Sequence, residues 1–243
     1  MADRKPVVFF HVMNCGGTSV RRGLALGVAR ERTGAGVFEL DGQAAIEAVG
    51  GNDKQNWEFR DSLLSYVLDT MSPTIVLGHF RFCDRHARHL DDAHFVTVLR
   101  APVDRYLSLY KYRRYKEGVH VPVAGSFADV VETRRFRSEG HAIVGAFCGR
   151  ADLDPHSDEA IDAAVRNLGR FAAIGFIDRL DDFAADVSVL VGRKVTIPRM
   201  NASPAPADLD DLGADPELMD RVREICAPDQ QVFDRVAGAT GGA

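Results

Sequence analysis

An apolar run that ends in two glycines and two hydroxyl residues constrains the fold of this chain more than any other stretch. Residues 7–12 have the β-branched and aromatic content of a buried strand, and Val20, Leu24 and Val28 recur at helical spacing after the glycines. The pattern predicts a strand, a tight loop and a helix. In that arrangement the loop amides and the helix N-terminus point to one place, and glycines let an anion approach the backbone closely. The loop at 13–19 is therefore a candidate anion site.

Composition narrows the class of protein. With 243 residues and 46% hydrophobic content, the chain is long enough for one domain with a substantial core. A net charge of −5 argues against nucleic acid as a partner bound through overall charge. No stretch is apolar for long enough to span a bilayer, so an integral membrane protein is not expected. The four cysteines lack the spacing of a zinc knuckle or a disulfide framework, and no signal peptide is recognisable, so a cytoplasmic location is expected.

Short apolar runs alternate with helical patterns along the chain. The runs at 7–12, 75–77, 95–99 and 171–174 predict strands. Helical periodicity is found at 18–30, 58–71, 103–115, 127–133, 139–147, 158–168, 180–191 and 216–226. This alternation predicts a single α/β domain over residues 1–243, with a mostly parallel central sheet flanked by helices and a frayed tail at 238–243. Residues 34–52 show no sustained period and are expected to form a variable excursion.

Three loops meet at the carboxyl edge of such a sheet, after residues 12, 77 and 99. The first does not match the Walker A pattern, because no lysine precedes Thr18. The third begins with Arg100, where a magnesium-dependent nucleotide kinase would carry an Asp. Arg100 offers a planar fork for phosphate oxygens, and Ser108 adds a hydroxyl two turns into the next helix. Two anion sites without a magnesium ligand suit a nucleotide that has phosphate at both its 5′ and 3′ positions.

Two of these loops resemble motifs of PAPS-dependent sulfotransferases, particularly the Golgi-type carbohydrate branch and its bacterial relatives. The first reads HVMNCGGTS from His11 to Ser19, which is similar to the 5′-phosphosulfate loop HIPKTGGTS of that family. Arg100, Pro102 and Ser108 resemble its 3′-phosphate motif. Gly78-His79 is similar to a pair in uronyl 2-O-sulfotransferases, and the segment around Asn201 resembles a late Asn-x-Ser segment of the family.

The resemblance implies a P-loop-like three-layer fold and transfer of a sulfuryl group from PAPS, with PAP as product and no metal. It places the nucleotide against Asn14, Cys15, Gly16, Gly17, Thr18, Ser19, Arg100, Ser108 and Asn201. The acceptor hydroxyl belongs to a small molecule or a glycan, and a carbohydrate is favoured. His79 is the best candidate for the general base because imidazole titrates near neutral pH, and His11 is the second choice. The basic residues Arg81, Arg85, Lys111 and Arg114 predict a track for an acidic acceptor, with a solvated helix face as the alternative.

Asn14 departs from the family, which carries a lysine at this position. An amide donates a hydrogen bond but supplies no charge for the oxygen that leaves with the nucleotide. Another cation is expected to replace it, and the candidates are Arg81, Lys111, Arg21 and Arg22. Two other interpretations stay open. One is a P-loop nucleotide kinase or other phosphotransferase, and the other is a non-catalytic nucleotide-binding protein of the same fold.

Overall fold

The computed structural model describes residues 5–28, 36–115, 123–200 and 212–240 and contains one five-stranded sheet. All strands are parallel, in the spatial order β2-β3-β1-β4-β5. They are β1 (Val7–Phe10), β2 (Val37–Glu39), β3 (Ile75–Gly78), β4 (His94–Leu99) and β5 (Ala173–Phe176). Because β1 lies between β3 and β4, the loops that follow these three strands meet at one edge, as the sequence predicted.

Eleven helices are found in the described part of the chain, and they cover both faces of the sheet. They are α1 (Gly17–Val28), α2 (Gly42–Ala48), α3 (Asp53–Thr70), α4 (Asp84–Ala87), α5 (Pro102–Tyr115), α6 (Phe127–Val131), α7 (Arg134–Glu139), α8 (Ala142–Phe147), α9 (Asp158–Leu168), α10 (Leu180–Val191) and α11 (Pro216–Thr240). Several begin where the sequence supplies a side-chain cap. The hydroxyl of Ser157, for example, accepts the N–H of Ala160 at the start of α9.

Alternation along β1 separates two cores. Phe9 points to the face that is covered by α1 and α10, where it packs with Leu24 and Phe183. Phe10 points to the opposite face, into an aromatic cluster with Phe95, Phe147 and Phe171. Burial of each such side chain contributes about 1.5–3 kcal/mol. Residues that continue the Phe9 face beyond the strand end therefore lie under α1.

The α/β class and the parallel sheet are confirmed, and two local expectations are wrong. Residues 37–48 form β2 and α2 rather than an excursion without secondary structure. β2 is a three-residue edge strand whose first and last side chains are exposed, so it leaves no hydrophobic period to detect. The last helix runs to Thr240 instead of ending at 226. It continues through Pro228 because Val232 and Val236 beyond it are buried in the core.

None of the helices described here is long and apolar enough to cross a lipid bilayer.

Candidate functional site

The loop between β1 and α1 is a tight turn built on two left-handed residues. Asn14 has a φ of 63° and Gly16 a φ of 75°. Asn is among the few side chains that tolerate this region, and glycine enters it without a steric penalty. The N–H of Cys15 donates to the carbonyl of Val12 at 3.3 Å and closes the turn. The chain therefore reverses directly above the end of β1.

Several backbone N–H groups of this loop have no acceptor among the described residues, among them those of Asn14, Gly16, Gly17 and Thr18. The next two, from Ser19 and Val20, donate to the carbonyl of Gly16 at 3.0 and 3.2 Å. Free amides at the first turn of a helix are donors for an anion, and the helix dipole favours negative charge there. The side chain of Thr18 is exposed beside them. The loop thus has the donor set of a phosphate site.

Ser19 differs from the other loop residues because its hydroxyl already has partners. The side chain is 4% exposed, accepts the N–H of Met200 at 3.0 Å and lies 3.3 Å from the carbonyl of the same residue. This contact fixes the segment before Asn201, and the role of Ser19 as a donor to the nucleotide stays a prediction. Asn201 itself lies outside the described residues.

Cys15 lies between the first loop and the end of β4. Its side chain is 1% exposed, and its thiol donates to the carbonyl of Met13 at 3.7 Å. Burial raises the pKa of the Cys15 thiol to about 12, so it is protonated at neutral pH. The Arg100 side chain is half-buried and pairs with no described acidic residue. Ser108, on the second turn of α5, is also half-buried. The charge and the backbone N–H of Arg100 both lower the pKa of Cys15, so the end of β4 lies near the thiol.

His11 and His79 stack on each other at the ends of β1 and β3. Their ring centroids are 4.1 Å apart at an interplanar angle of 25°. Nδ1 of His79 lies 2.8 Å from the carbonyl oxygen of His11. Because a carbonyl only accepts, Nδ1 carries the proton and Nε2 of His79 keeps its lone pair. This is the tautomer that a general base requires.

Gly17 lies directly against the His11 ring. A Cβ atom at this position would be 1.7 Å from Nε2 of His11, so only glycine fits. The other neighbour of the His11 ring is Phe9, with ring centroids 5.6 Å apart. The loop at 13–19, called the anion loop below, therefore packs on the histidine pair.

Both histidines are neutral at physiological pH. Burial lowers the pKa of His79 to about 4, the hydrogen bond to the His11 carbonyl opposes this, and the charges of Arg60 and Arg21 lower it further. The pKa of His11 is held well below its usual value by burial first, then by His79 and Arg21. Two arginines, Arg21 and Arg60, thus act on a histidine pair that is kept uncharged.

The four residues predicted to form a basic track are in two places. The Arg81 guanidinium lies 4.1 Å above the Trp57 ring, while Arg85 is exposed and donates to the hydroxyl of Ser62. Both charges lower the pKa of Asp61, which burial nevertheless raises to about 6. Lys111 and Arg114 are half-buried on α5, and Arg114 donates to the carbonyl of Val123 at 2.7 Å. Arg81 and Arg85 both act on the Asp61 carboxylate, whereas Lys111 and Arg114 lie on α5.

Sequence reasoning missed a buried ion pair behind the Arg100 loop. Arg105 and Asp229 are both fully buried, and their closest charged atoms are 3.9 Å apart. Asp229 accepts the N–H groups of Ile143 and Val144 at 2.9 Å, and Arg105 donates to the carbonyl of Glu139. Nε and Nη1 of Arg105 are buried without a partner. One signal of this pair is visible in the sequence: Arg105 stands next to Tyr106 and near Leu109, which are apolar core positions of α5.

Among the described residues, no group of three His, Cys, Asp or Glu side chains is arranged to hold a metal ion.

Neither a protein-family model nor a curated protein sequence matches this chain. Among solved structures, a sulfotransferase from Alicyclobacillus acidocaldarius has a TM-score of 0.51 and 14% sequence identity, and the match covers 98% of this chain and 96% of that chain. A structure from the PezAT chromosomal toxin-antitoxin system of Streptococcus pneumoniae has a TM-score of 0.39 and 10% identity over 93% of this chain and 88% of that chain, which is too distant to carry an argument. The first match confirms the predicted sulfotransferase-type fold. Membership of the Golgi-type carbohydrate branch stays a prediction.

Proposed function

We propose that this protein is a metal-independent sulfotransferase that uses PAPS and sulfates a hydroxyl group of a carbohydrate. The observation that carries the proposal is the proximity of two anion sites at one edge of the sheet. The loop with free amides follows β1, and Arg100 follows the paired parallel strand β4, in a chain with a sulfotransferase-type fold.

The residues present fit the two ends of such a nucleotide. The free N–H groups of Asn14, Gly16, Gly17 and Thr18 suit the 5′-phosphosulfate, since they are preorganised and need no reorientation. Arg100, which pairs with no acidic residue in the described part of the chain, and the hydroxyl of Ser108 suit the 3′-phosphate. Bound PAPS supplies the sulfuryl group: a bond forms from the acceptor oxygen to sulfur as the bond from sulfur to the 5′-phosphate oxygen breaks, and the electron pair leaves with that phosphate.

His79 accepts the acceptor's proton in this proposal. Its Nε2 lone pair is available because Nδ1–H is fixed on the His11 carbonyl, and the ring is neutral down to about pH 4. His11 orients His79 through the stack and its carbonyl rather than acting as a second base. Arg81 and Arg85 are placed after the same strand as His79 and suit an anionic group on the acceptor, with Lys111 and Arg114 as further contacts.

Calorimetric titration of the whole chain with PAP, ATP and 5′-AMP separates this proposal from its alternatives. We expect PAP to bind at least tenfold more tightly than 5′-AMP, and Arg100→Ala to abolish most of that difference, because the guanidinium recognises the 3′-phosphate. Arg88→Ala, an exposed arginine paired with Asp69, is the matched control. Magnesium-dependent turnover of ATP would support the kinase instead. Tight PAP binding without transfer from labelled PAPS to any of a panel of glycans would support a non-catalytic binding protein.

A further inference from the structure

The anion loop contains no positively charged side chain. Between Lys5 and Arg21 the chain has neither lysine nor arginine, and Asn14 offers only an amide. When sulfur is transferred away from a phosphate, negative charge builds on the oxygen that stays behind. Neutral donors stabilise this charge, and a nearby cation stabilises it further. The free amides of the loop supply the neutral donors, so a cation that stabilises the leaving oxygen has to come from another part of the chain.

Arg21 lies on the face of α1 that covers the histidine pair. It is four residues after Gly17, so the two positions share one side of the helix, and Gly17 packs on the His11 ring. Its guanidinium pairs with Glu39, the last residue of β2. The register places Glu39 beside Leu77, and Leu77 beside Phe9, on the α1 face of the sheet. The Arg21 side chain therefore reaches across the ends of β2, β3 and β1.

The pKa values of the two histidines agree with this position of the Arg21 guanidinium. The charge of Arg21 contributes to lowering the pKa of both His11 and His79, so its guanidinium lies within range of both rings. The Glu39 carboxylate can accept only some of the five N–H donors of Arg21, and both side chains are about two-fifths exposed. Arg60 also acts on His79, but it is held by Asn56 and the carbonyl of Gly42.

The other cations considered from the sequence are less suitable. Arg22 is exposed and turned away by one helical step from Arg21. The Arg81 guanidinium lies flat on Trp57, and Lys111 is on α5, beyond the strand that presents Arg100.

We infer that Arg21, held by Glu39, is the catalytic cation at the end of β1 that stabilises the leaving 5′-phosphate in place of a charge on the loop. The inference rests on the proposed function. It predicts that Glu39 acts as a positioning residue, whose loss leaves the charge in place but loosens the guanidinium.

The position of Arg21 is tested without turnover, by NMR titration of the histidines in the full chain, with signals assigned through His11→Gln and His79→Gln. We expect Arg21→Gln to raise the pKa of both His11 and His79, because a nearby positive charge is removed, while Arg22→Gln changes neither. Unchanged pKa values in Arg21→Gln would place the side chain away from the site and overturn the inference. Circular dichroism and a melting curve check that each variant is folded.

The chemical role is tested by transfer from labelled PAPS and by calorimetry with PAP. We expect Arg21→Gln to lower kcat about 100-fold with a much smaller change in KM, Arg21→Lys to retain most of the rate, and Glu39→Gln to fall between them. Adding Asn14→Lys to Arg21→Gln should restore at least tenfold, because it returns a cation to the loop. An Arg21→Gln enzyme as active as Arg22→Gln overturns the inference and leaves the proposed function standing. If the wild type transfers no sulfate, the proposed function fails, and the titration still decides whether Arg21 lies over the histidines.

Discussion

Two polar clusters lie behind the carboxyl edge of the sheet, and they differ in how far they are open to solvent. Asp229 places both carboxylate oxygens on backbone N–H groups and faces Arg105, with no exposure of either side chain. The His11–His79 pair is only half-buried, is uncharged, and leaves Nε2 of His79 without a bond. A cluster that is closed to ligands stabilises the fold, whereas a cluster with one open atom is suited to chemistry.

Removing the carboxylate of the closed cluster should have the largest effect on stability. Asp229→Ala leaves the Arg105 charge and two N–H groups of α8 buried without their partner. We expect the free energy of unfolding to fall by about 3–5 kcal/mol, measured by urea denaturation. Asp162→Ala is the control, because it breaks an exposed pair with Arg235 and should cost less than about 1 kcal/mol. Equal losses in the two variants would show that the Asp229 cluster is not a structural support.

Gly17→Ala should affect the open cluster with a smaller cost in stability. The added methyl group would overlap Nε2 of His11, so the loop or the ring must move. We expect a loss of about 1–3 kcal/mol in unfolding free energy and at least tenfold weaker PAP binding by calorimetry.

Two further variants test whether the effect of Gly17→Ala comes from its contact with His11. Gly145→Ala is the control, since a Cβ atom there meets nothing within 4 Å and binding should be unchanged. His11→Ala combined with Gly17→Ala makes room for the methyl group and should recover part of the binding. Full PAP affinity in Gly17→Ala alone would show that the contact with His11 does not shape the loop.

The smallest effect concerns the dependence of stability on pH. The pKa of His79 is about 4 in the folded chain and near 6.5 when unfolded, so the unfolded state binds more protons between these values. The stability contributed by neutral His79 is therefore present above pH 6.5 and is lost on acidification toward pH 4. Between pH 6.5 and 5.5 we expect the loss to be about 1 kcal/mol smaller in His79→Gln than in the wild type, measured by urea denaturation at each pH. Parallel curves for the two proteins would contradict the lowered pKa.

Local patterns allowed most of this architecture to be predicted from the sequence. The β1 run, the glycines and the α1 period lie within about twenty residues, so each reinforces the next, and Arg100 follows its strand directly. β2 was missed because an exposed strand of three residues has no period. The ion pair between Arg105 and Asp229 joins segments far apart in the chain, and the contact of Glu39 with Arg21 joins two elements that no periodicity relates. Ser19 also contacts Met200, about 180 positions away, and no sequence pattern predicts that contact.

The thiol in the anion loop has a practical consequence for anyone handling this protein. A sulfhydryl that ionises only near pH 12 reacts slowly with alkylating agents and peroxides, because the thiolate is the reactive species. Cys15 is also 1% exposed, whereas Cys83 is partly open to solvent. A fluorophore or spin label directed at cysteine is thus expected to attach at Cys83 first and leave the loop at Cys15 unmodified. The protein then carries its own reporter position beside His86 without an engineered cysteine.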